Sequence, residues 1–260
     1  IGVSVSPGGK VVSRDGGTAT ITIDGTGGSG SNLSHGVLID GAGAEVTAEG
    51  GSIQITGTGG VNDGIRLDNG SDVESRTGGS APITMTGTAG VGGTGIWNRI
   101  GDITSVGTGD ITLVGDSQTY SGGLASINAG TSTVAIRQLT NTVQINLGGA
   151  DAAGVLGIDN FELNAITAGT LIIGDASSGD INVSSAINVA DNTTAVPVLK
   201  LVTGGAITGS GSLTADTLML TSVNGIGTTG SPLHTVASTT TASNSTSGDI
   251  AISNTGSLAL

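Results

Sequence analysis

The sequence predicts an all-β fold, a β-solenoid with three short strands per coil and glycine-rich turns between them. Three observations carry that prediction. Blocks of about 30 residues repeat along the first half of the chain, and a fixed period of this size signals stacked repeats. Inside each block, apolar residues alternate with small polar ones, which is the period of a strand. Glycine contributes 49 of 260 residues and clusters where the alternation stops.

The repeats fall into three series. The first is ITIDGTGG at 21–28, which returns as IQITGTGG at 53–60, ITMTGTAG at 83–90 and, weakly, ITLVGD at 111–116. The offsets are 32, 30 and 28 residues. A second series keeps step as GVLIDG at 36–41, GIRLDN at 64–69, GIWNRI at 95–100 and GLASIN at 123–128. A third lies between them: EVTAEGG from Glu45, DVESRTGG from Asp72 and DITSVGTG from Asp102. Three strands per period imply one turn of a three-sided coil, each strand stacking on its counterpart at about 4.8 Å.

In ITID the isoleucines share one face, and Thr22 and Asp24 the other. Inward residues must fill a narrow interior. That explains abundant Ile, Val and Leu beside an aromatic set of only Trp97, Tyr120 and Phe161. Glycine supplies the positive φ that sharp corners need. Helix is disfavoured, because apolar spacing is two nearly everywhere and glycine breaks longer helical runs.

The organisation divides at residues 136 and 165. Residues 1–136 read as solenoid with coils of about 30 residues, and 137–165 as transition coils, the least repetitive span. Residues 166–260 read as solenoid with shorter coils of about 19–28 residues, ending in mid-repeat. There LKLVTGGAIT at 199–208 aligns with LMLTSVNGIGT at 218–228 at an offset of 19, matching Leu199, Leu201 and Ile207 with Leu218, Leu220 and Ile226. SGDI recurs at 178–181 and 247–250. Roughly ten coils give a rod on the order of 50 Å long.

Composition narrows the function classes. The net charge is −13, from 20 acidic against seven basic residues, which disfavours nucleic acid because phosphate binding needs a basic surface. No apolar run reaches the roughly 18 residues that span a bilayer. Abundant β-branched apolar residues disfavour disorder, and glycine lacks the period of three that collagen requires. With no cysteine, stability rests on core and backbone pairing. The start, without methionine or a basic-then-apolar leader, reads as a mature piece or an excised segment. At the other end Leu258 and Leu260 read as the start of a further strand, to be covered by more coils or by a second subunit stacked end to end.

Residues 218–260 resemble the repeats of large filamentous-haemagglutinin-like bacterial exoproteins. The similar pieces are NGIGTTGSPLHTV at 224–236 and SGDIAISNTGSL at 247–258, with TLIIGDASSGDINV at 170–183 in the same class. Residues 11–130 are similar to the GTGG-rich repeats of neighbouring regions in such proteins. The resemblance implies a right-handed parallel β-helix, export to the bacterial cell surface, and an adhesive or fibre-forming role. Expected partners are further repeats of the same polypeptide, its own kind end to end, or a cell-surface or matrix glycan. No cofactor is expected.

Chemical sites are few. Asp63, Arg66, Asp68 and Asp72, with Arg99 and Asp102 about one coil on, form the densest polar cluster. A polysaccharide-active enzyme would need acid–base carboxylates there, usually with aromatic platforms. Arg66 and Asp68 stand at i, i+2 on one strand and are expected to face outward, as charge pairs and solvated turns on a rod surface. Asp63, Asp68 and Asp72 are also the weak calcium candidates. Asp40, Asp68, Asp102, Asp110 and Asp180 recur beside turns and read as turn formers more than calcium ligands, since GTGDITL at 107–113 only approaches the calcium-binding repeat. Glycine-rich matches to the dinucleotide fingerprint precede strand-like sequence, not a helix. His35 and His234 look isolated. The most ordered surface feature is a threonine array, Thr22 and Thr26, Thr56 and Thr58, Thr84, Thr86 and Thr88, then Thr112, interrupted by Asp24, Gln54 and Val114. Such an array stabilises strand ladders, and in some solenoids it binds ice.

Overall fold

A computed structural model describes residues 1–14, 18–30, 33–76, 80–121, 125–190 and 196–257. Leu258 and Leu260 therefore lie outside the described residues, as do Gly123 and Leu124 of the GLASIN element. The chain is a parallel β-helix, 51% strand and 2% helix, with long parallel sheets running along it. Successive strands visit three faces in turn.

Face 1 stacks Val3–Val5, Val37–Asp40, Ile65–Asp68, Ile96–Asn98 and Gln118–Tyr120. Face 2 stacks Lys10–Ser13, Glu45–Ala48, Ser71–Ser75, Gly101–Ser105, Ser126–Asn128 and Ile166–Thr167. Face 3 is longest and runs from Ile21–Thr26 to Ile252–Asn254. The predicted registers hold within it: Ile21 pairs with Ile53, Ile53 with Ile83 and Ile83 with Ile111. In the second half Leu199 pairs with Leu218 and Leu201 with Leu220, and Ile207 bridges Ile226.

One inward column on face 3 reads Ile21, Ile53, Ile83, Ile111, Val134, Leu171, Leu199 and Leu218, all buried. Fully burying such a side chain is worth about 1.5–3 kcal/mol, so these columns drive the stacking. The SGDI isoleucines also share a column, since Ile181 pairs with Ile207, which bridges Ile226, which bridges Ile250.

Three features depart from the sequence reading. GLASIN does not continue the second series. Ser126 pairs with Asp102 on face 2, and the face 1 counterpart of Ile96 is Gln118. The coil between Ile111 and Val134 is shorter than its predecessors. A short helix, Asn160–Leu163, forms despite the period-two pattern. Asp159 and Glu162 make a capping box around it, each side chain accepting the other's backbone N–H. The positive-φ corners, finally, are not the GTGG glycines but others, such as Gly41, Gly43 and Gly70 at φ 97°, 73° and 75°. Gly25, Gly57 and Gly87 instead sit where two backbones nearly touch. A Cβ on Gly57 would fall 2.1 Å from the carbonyl oxygen of Gly64.

After Gln118–Tyr120 face 1 stops, and a fourth sheet begins with Val155–Ile158, Gln144–Leu147, Ile181–Val183 and Ile207–Gly209. The chain makes Gln144–Leu147 first, then turns back to lay Val155–Ile158 beside it in parallel. The Val155–Ile158 strand also lies against Gln118–Tyr120, but among the described residues no backbone ladder joins the two. The span 137–165 is thus a seam in one face, while face 3 runs past it unbroken and face 2 bridges it to its last strand, Ile166–Thr167.

Candidate functional site

The sequence-predicted polar cluster divides between two faces. Asp63, Arg66, Asp68 and Arg99 meet outside face 1. Arg66 donates from Nη2 to Asp68 Oδ2 at 2.8 Å and from Nε at 3.2 Å, and Arg99 Nη1 donates to the same oxygen at 3.2 Å. Asn69 N–H donates to Asp68 Oδ1 at 2.9 Å. Arg66 also stands 3.6 Å from Asp63 Oδ2, and its guanidinium lies 4.4 Å over the Trp97 ring. The two arginines cover Asp68, which is only 4% exposed. This corrects the expectation of an outward, solvated carboxylate. Burial pushes the Asp68 carboxyl up, but hydrogen bonds from Arg66, Arg99 and the Asn69 N–H outweigh it and hold the group below its ordinary value.

Asp63 is likewise buried, and its Oδ1 accepts the Thr94 N–H at 2.9 Å. His35 is not isolated as expected: its Nδ1 lies 3.2 Å from Asp63 Oδ2. Burial lowers the His35 pKa despite the opposing pull of Asp63.

Asp72 lies elsewhere, on face 2, in register with Glu45 on one side and Asp102 on the other. Burial and then the charges of Asp102, Glu74 and Glu45 raise its carboxyl, with Arg76 opposing. The three calcium candidates Asp63, Asp68 and Asp72 therefore do not converge. Among the described residues no group of three acidic, histidine or cysteine side chains could hold a metal ion.

The threonine array is real as a surface. Thr26, Thr58 and Thr88 stack directly and are exposed. Thr56 stacks on Thr86, and Thr84 on Thr112. Asp24, Gln54 and Val114 occupy the interruptions, and beyond Thr112 the column turns to Ala135, Ile172 and Lys200.

Sequence reasoning missed a recurrent use of carboxylates. At corners, an acidic side chain reaches to the adjacent coil and accepts a backbone N–H that no ladder satisfies. Asp110 takes Thr133 N–H at 2.9 Å, and Asp180 takes Ala206 N–H at 2.8 Å. Asp116 takes both Leu139 and Thr140 N–H at 2.8 Å. Asp110 and Asp180 are thus clasps between coils more than formers of their own turns. These clasps are exposed, so water competes with them and each contributes only at the scale of an ordinary hydrogen bond, about 0.5–1.5 kcal/mol.

The same device closes the seam. Asp151 accepts Gln118 N–H at 2.9 Å and Gly157 N–H at 2.8 Å, one on each oxygen. Glu162 accepts Tyr120 N–H at 3.2 Å and Asp159 N–H at 3.0 Å, again one on each. The two carboxylates replace the carbonyls of a missing ladder. A pocket of about 380 Å³ lies between them, lined by Gln118, Thr119, Tyr120, Phe161 and the acids Asp151, Asp159 and Glu162. Burial pushes Asp151 up to about 6 and Glu162 up to about 7, against the pull of their N–H donors. Each of the four carboxylate oxygens accepts one backbone N–H, which gives the pair a structural role at the seam. The only sequence signal for it was the capping-box spacing of Asp159 and Glu162.

No known protein-family model, curated protein or solved structure matches this chain.

Proposed function

We propose that the chain is a structural and adhesive segment of a secreted bacterial surface fibre. It extends a rod and offers its outward faces to cells, matrix glycans or its own kind. The observation that carries this reading is the continuous inward column of face 3, from Ile21 to Leu218. A coil added to such a column lengthens the rod without requiring a new core, as mechanical spacing needs. The resemblance of residues 218–260 to filamentous-haemagglutinin-like repeats supports the surface location. The acid excess fits as well, since many acids serve as clasps and the net charge limits sticking to anionic surfaces. Among the described residues no helix is long and apolar enough to cross a membrane.

The test is a binding assay. Beads coated with the chain are presented to cultured cells and to glycan and matrix-protein arrays. Saturable binding that a soluble excess of the chain competes away is expected. Binding no stronger than that of an unrelated acidic protein would remove the adhesive half of the proposal. A compact particle in small-angle scattering would remove the rod.

A second reading has its own observation, the stacked threonines Thr26, Thr58 and Thr88 beside Thr56 and Thr86. An ice-binding face predicts thermal hysteresis, which Thr56→Lys or Thr86→Lys would abolish.

A further inference from the structure

Face 1 is interrupted at one place among the described residues, where Gln118–Tyr120 meets the returning segment Val155–Leu163. Elsewhere coils are held to coils by ladders and only supplemented by side chains. Here side-chain carboxylates supply the acceptors: Asp151 for Gln118 N–H and Glu162 for Tyr120 N–H. The core beneath is also unlike the rest. Inward columns that begin with Val37–Ile65–Ile96 and Ile39–Leu67 end in Gln118, and in Asn98 followed by Tyr120. Gln118 Nε2 donates to the carbonyls of Gly115 at 3.1 Å and Arg137 at 2.9 Å, and Tyr120 Oη donates to Gln118 Oε1. Side-chain polar contacts thus dominate both the outside and the inside of this joint.

The charge balance at the joint is one-sided. From Gln118–Ser121 the titratable group that faces the pocket is Tyr120. The 148–154 turn contributes Asp151, and the helix contributes Asp159 and Glu162. The preceding face 3 to face 1 turn contributes Thr94, which carries no charge. No lysine or arginine lines the pocket, so nothing there compensates ionised Asp151 and Glu162 except N–H dipoles.

We propose that this seam is a proton-dependent clasp, closing Val155–Leu163 onto Gln118–Tyr120 in mildly acidic solution and loosening it above neutrality. The sign follows from linkage. Burial raises both carboxyls above their ordinary values, so the docked segment binds protons more tightly than the released one. Docking is strongest below the ordinary carboxylate range and is lost as pH rises through about 6 for Asp151 and about 7 for Glu162. Face 3 continues across the seam and face 2 bridges it to Ile166–Thr167, so opening detaches one face while the rod stays joined. A fibre segment with such a seam would be stiff in acid and more compliant at neutral pH and above.

The experiment is amide hydrogen exchange on the intact ¹⁵N-labelled chain from pH 5 to 8, corrected for the intrinsic pH dependence of exchange. The amides of Gln118, Tyr120 and Gly157 are expected to lose about tenfold or more in protection over that range. Amides in unbroken ladders, such as those of Ile55 and Leu201, are expected to hold theirs. Glu162→Gln is expected to shrink the pH dependence at Tyr120, and Asp151→Asn that at Gln118. Protection that is flat with pH in the wild type overturns the proposal, as does a pH dependence that survives unchanged in both variants. If a variant fails to fold, ¹³C titration of the wild-type carboxyls decides: midpoints of both groups in the ordinary carboxylate range overturn it, and elevated midpoints uphold it.

Discussion

The carbonyl oxygen of Gly64 lies 2.1 Å from the position a Cβ on Gly57 would occupy. The relationship repeats up the rod, with Gly87 against Gly95 at 2.0 Å and Gly25 against Gly36 at 2.2 Å. At these points face 3 ends and face 1 begins, and the two backbones are packed without side chains between them. Gly57→Ala is expected to destabilise the protein by about 3 kcal/mol, because the carbonyl is backbone and cannot swing away. Gly70→Ala offers the contrast. Its φ is 75° and no atom stands within 4 Å of the added methyl, so only left-handed strain of about 1–2 kcal/mol is expected. Urea unfolding of the two variants checks the order, and an equal loss would contradict it.

The clasps between coils make a second prediction. Asp116 accepts the N–H groups of Leu139 and Thr140 at 2.8 Å each. Asp116→Ala leaves both without their partner and, in analogy with removal of a helix cap, is expected to cost about 1–2 kcal/mol. Asp116→Asn keeps one acceptor oxygen and is expected to recover part of that. Equal midpoints for wild type and Asp116→Ala in chemical denaturation would mean that water replaces the clasp.

Stacked like charges on face 2 give a third. Asp72 and Asp102 are directly in register. Asp102→Asn removes one of the charges that raise Asp72, so the Asp72 carboxyl is expected to fall towards its ordinary value. Stability at neutral pH is expected to rise by a few tenths of a kcal/mol, about the scale of surface charge changes. A carboxyl titration of Asp72 that does not move would contradict the coupling.

Much of this was legible in the sequence, for reasons that particular residues make plain. Ile53, Ile83 and Leu199 announce themselves because a strand repeats every second residue and a coil repeats the same columns. The match of Leu199 with Leu218 needed no structure. Asp68 was misread because its cover, Arg99, comes from the next coil, and a period-two rule reports only which way a residue points. GLASIN was misaligned because the coil from Ile111 to Val134 shortens to 23 positions, and a constant period carried the reading past it. Asp151 and Glu162 left almost no trace. Each contacts a backbone N–H, which any residue carries, so no complementary side chain marks the partner strand. Their pairing depends on a reversal of strand order that occurs once among the described residues and therefore has no repeat to reveal it.

The last prediction concerns stability against pH, where two classes of carboxylate oppose one another. Asp68 is held below its ordinary value after its hydrogen bonds from Arg66 and Arg99 outweigh burial. Asp175 is held low in the same way, with Ser177 and Gln138 as its principal donors. A depressed group contributes stability that is present above its unfolded pKa, about 3.9, and lost as pH falls through its folded value. Asp151 and Glu162 are raised to about 6 and about 7. A raised group contributes stability that is present below its unfolded pKa and lost as pH rises through its folded value. The melting temperature is therefore expected to peak between about pH 4 and 6 and to decline on both sides. Asp68→Asn is expected to flatten the acid limb while lowering the peak, since Arg66 and Arg99 lose their partner. Glu162→Gln is expected to flatten the neutral limb and leave the acid limb alone. A melting temperature that climbs steadily from pH 5 to 8 would show that the buried carboxylates of the seam do not govern that range.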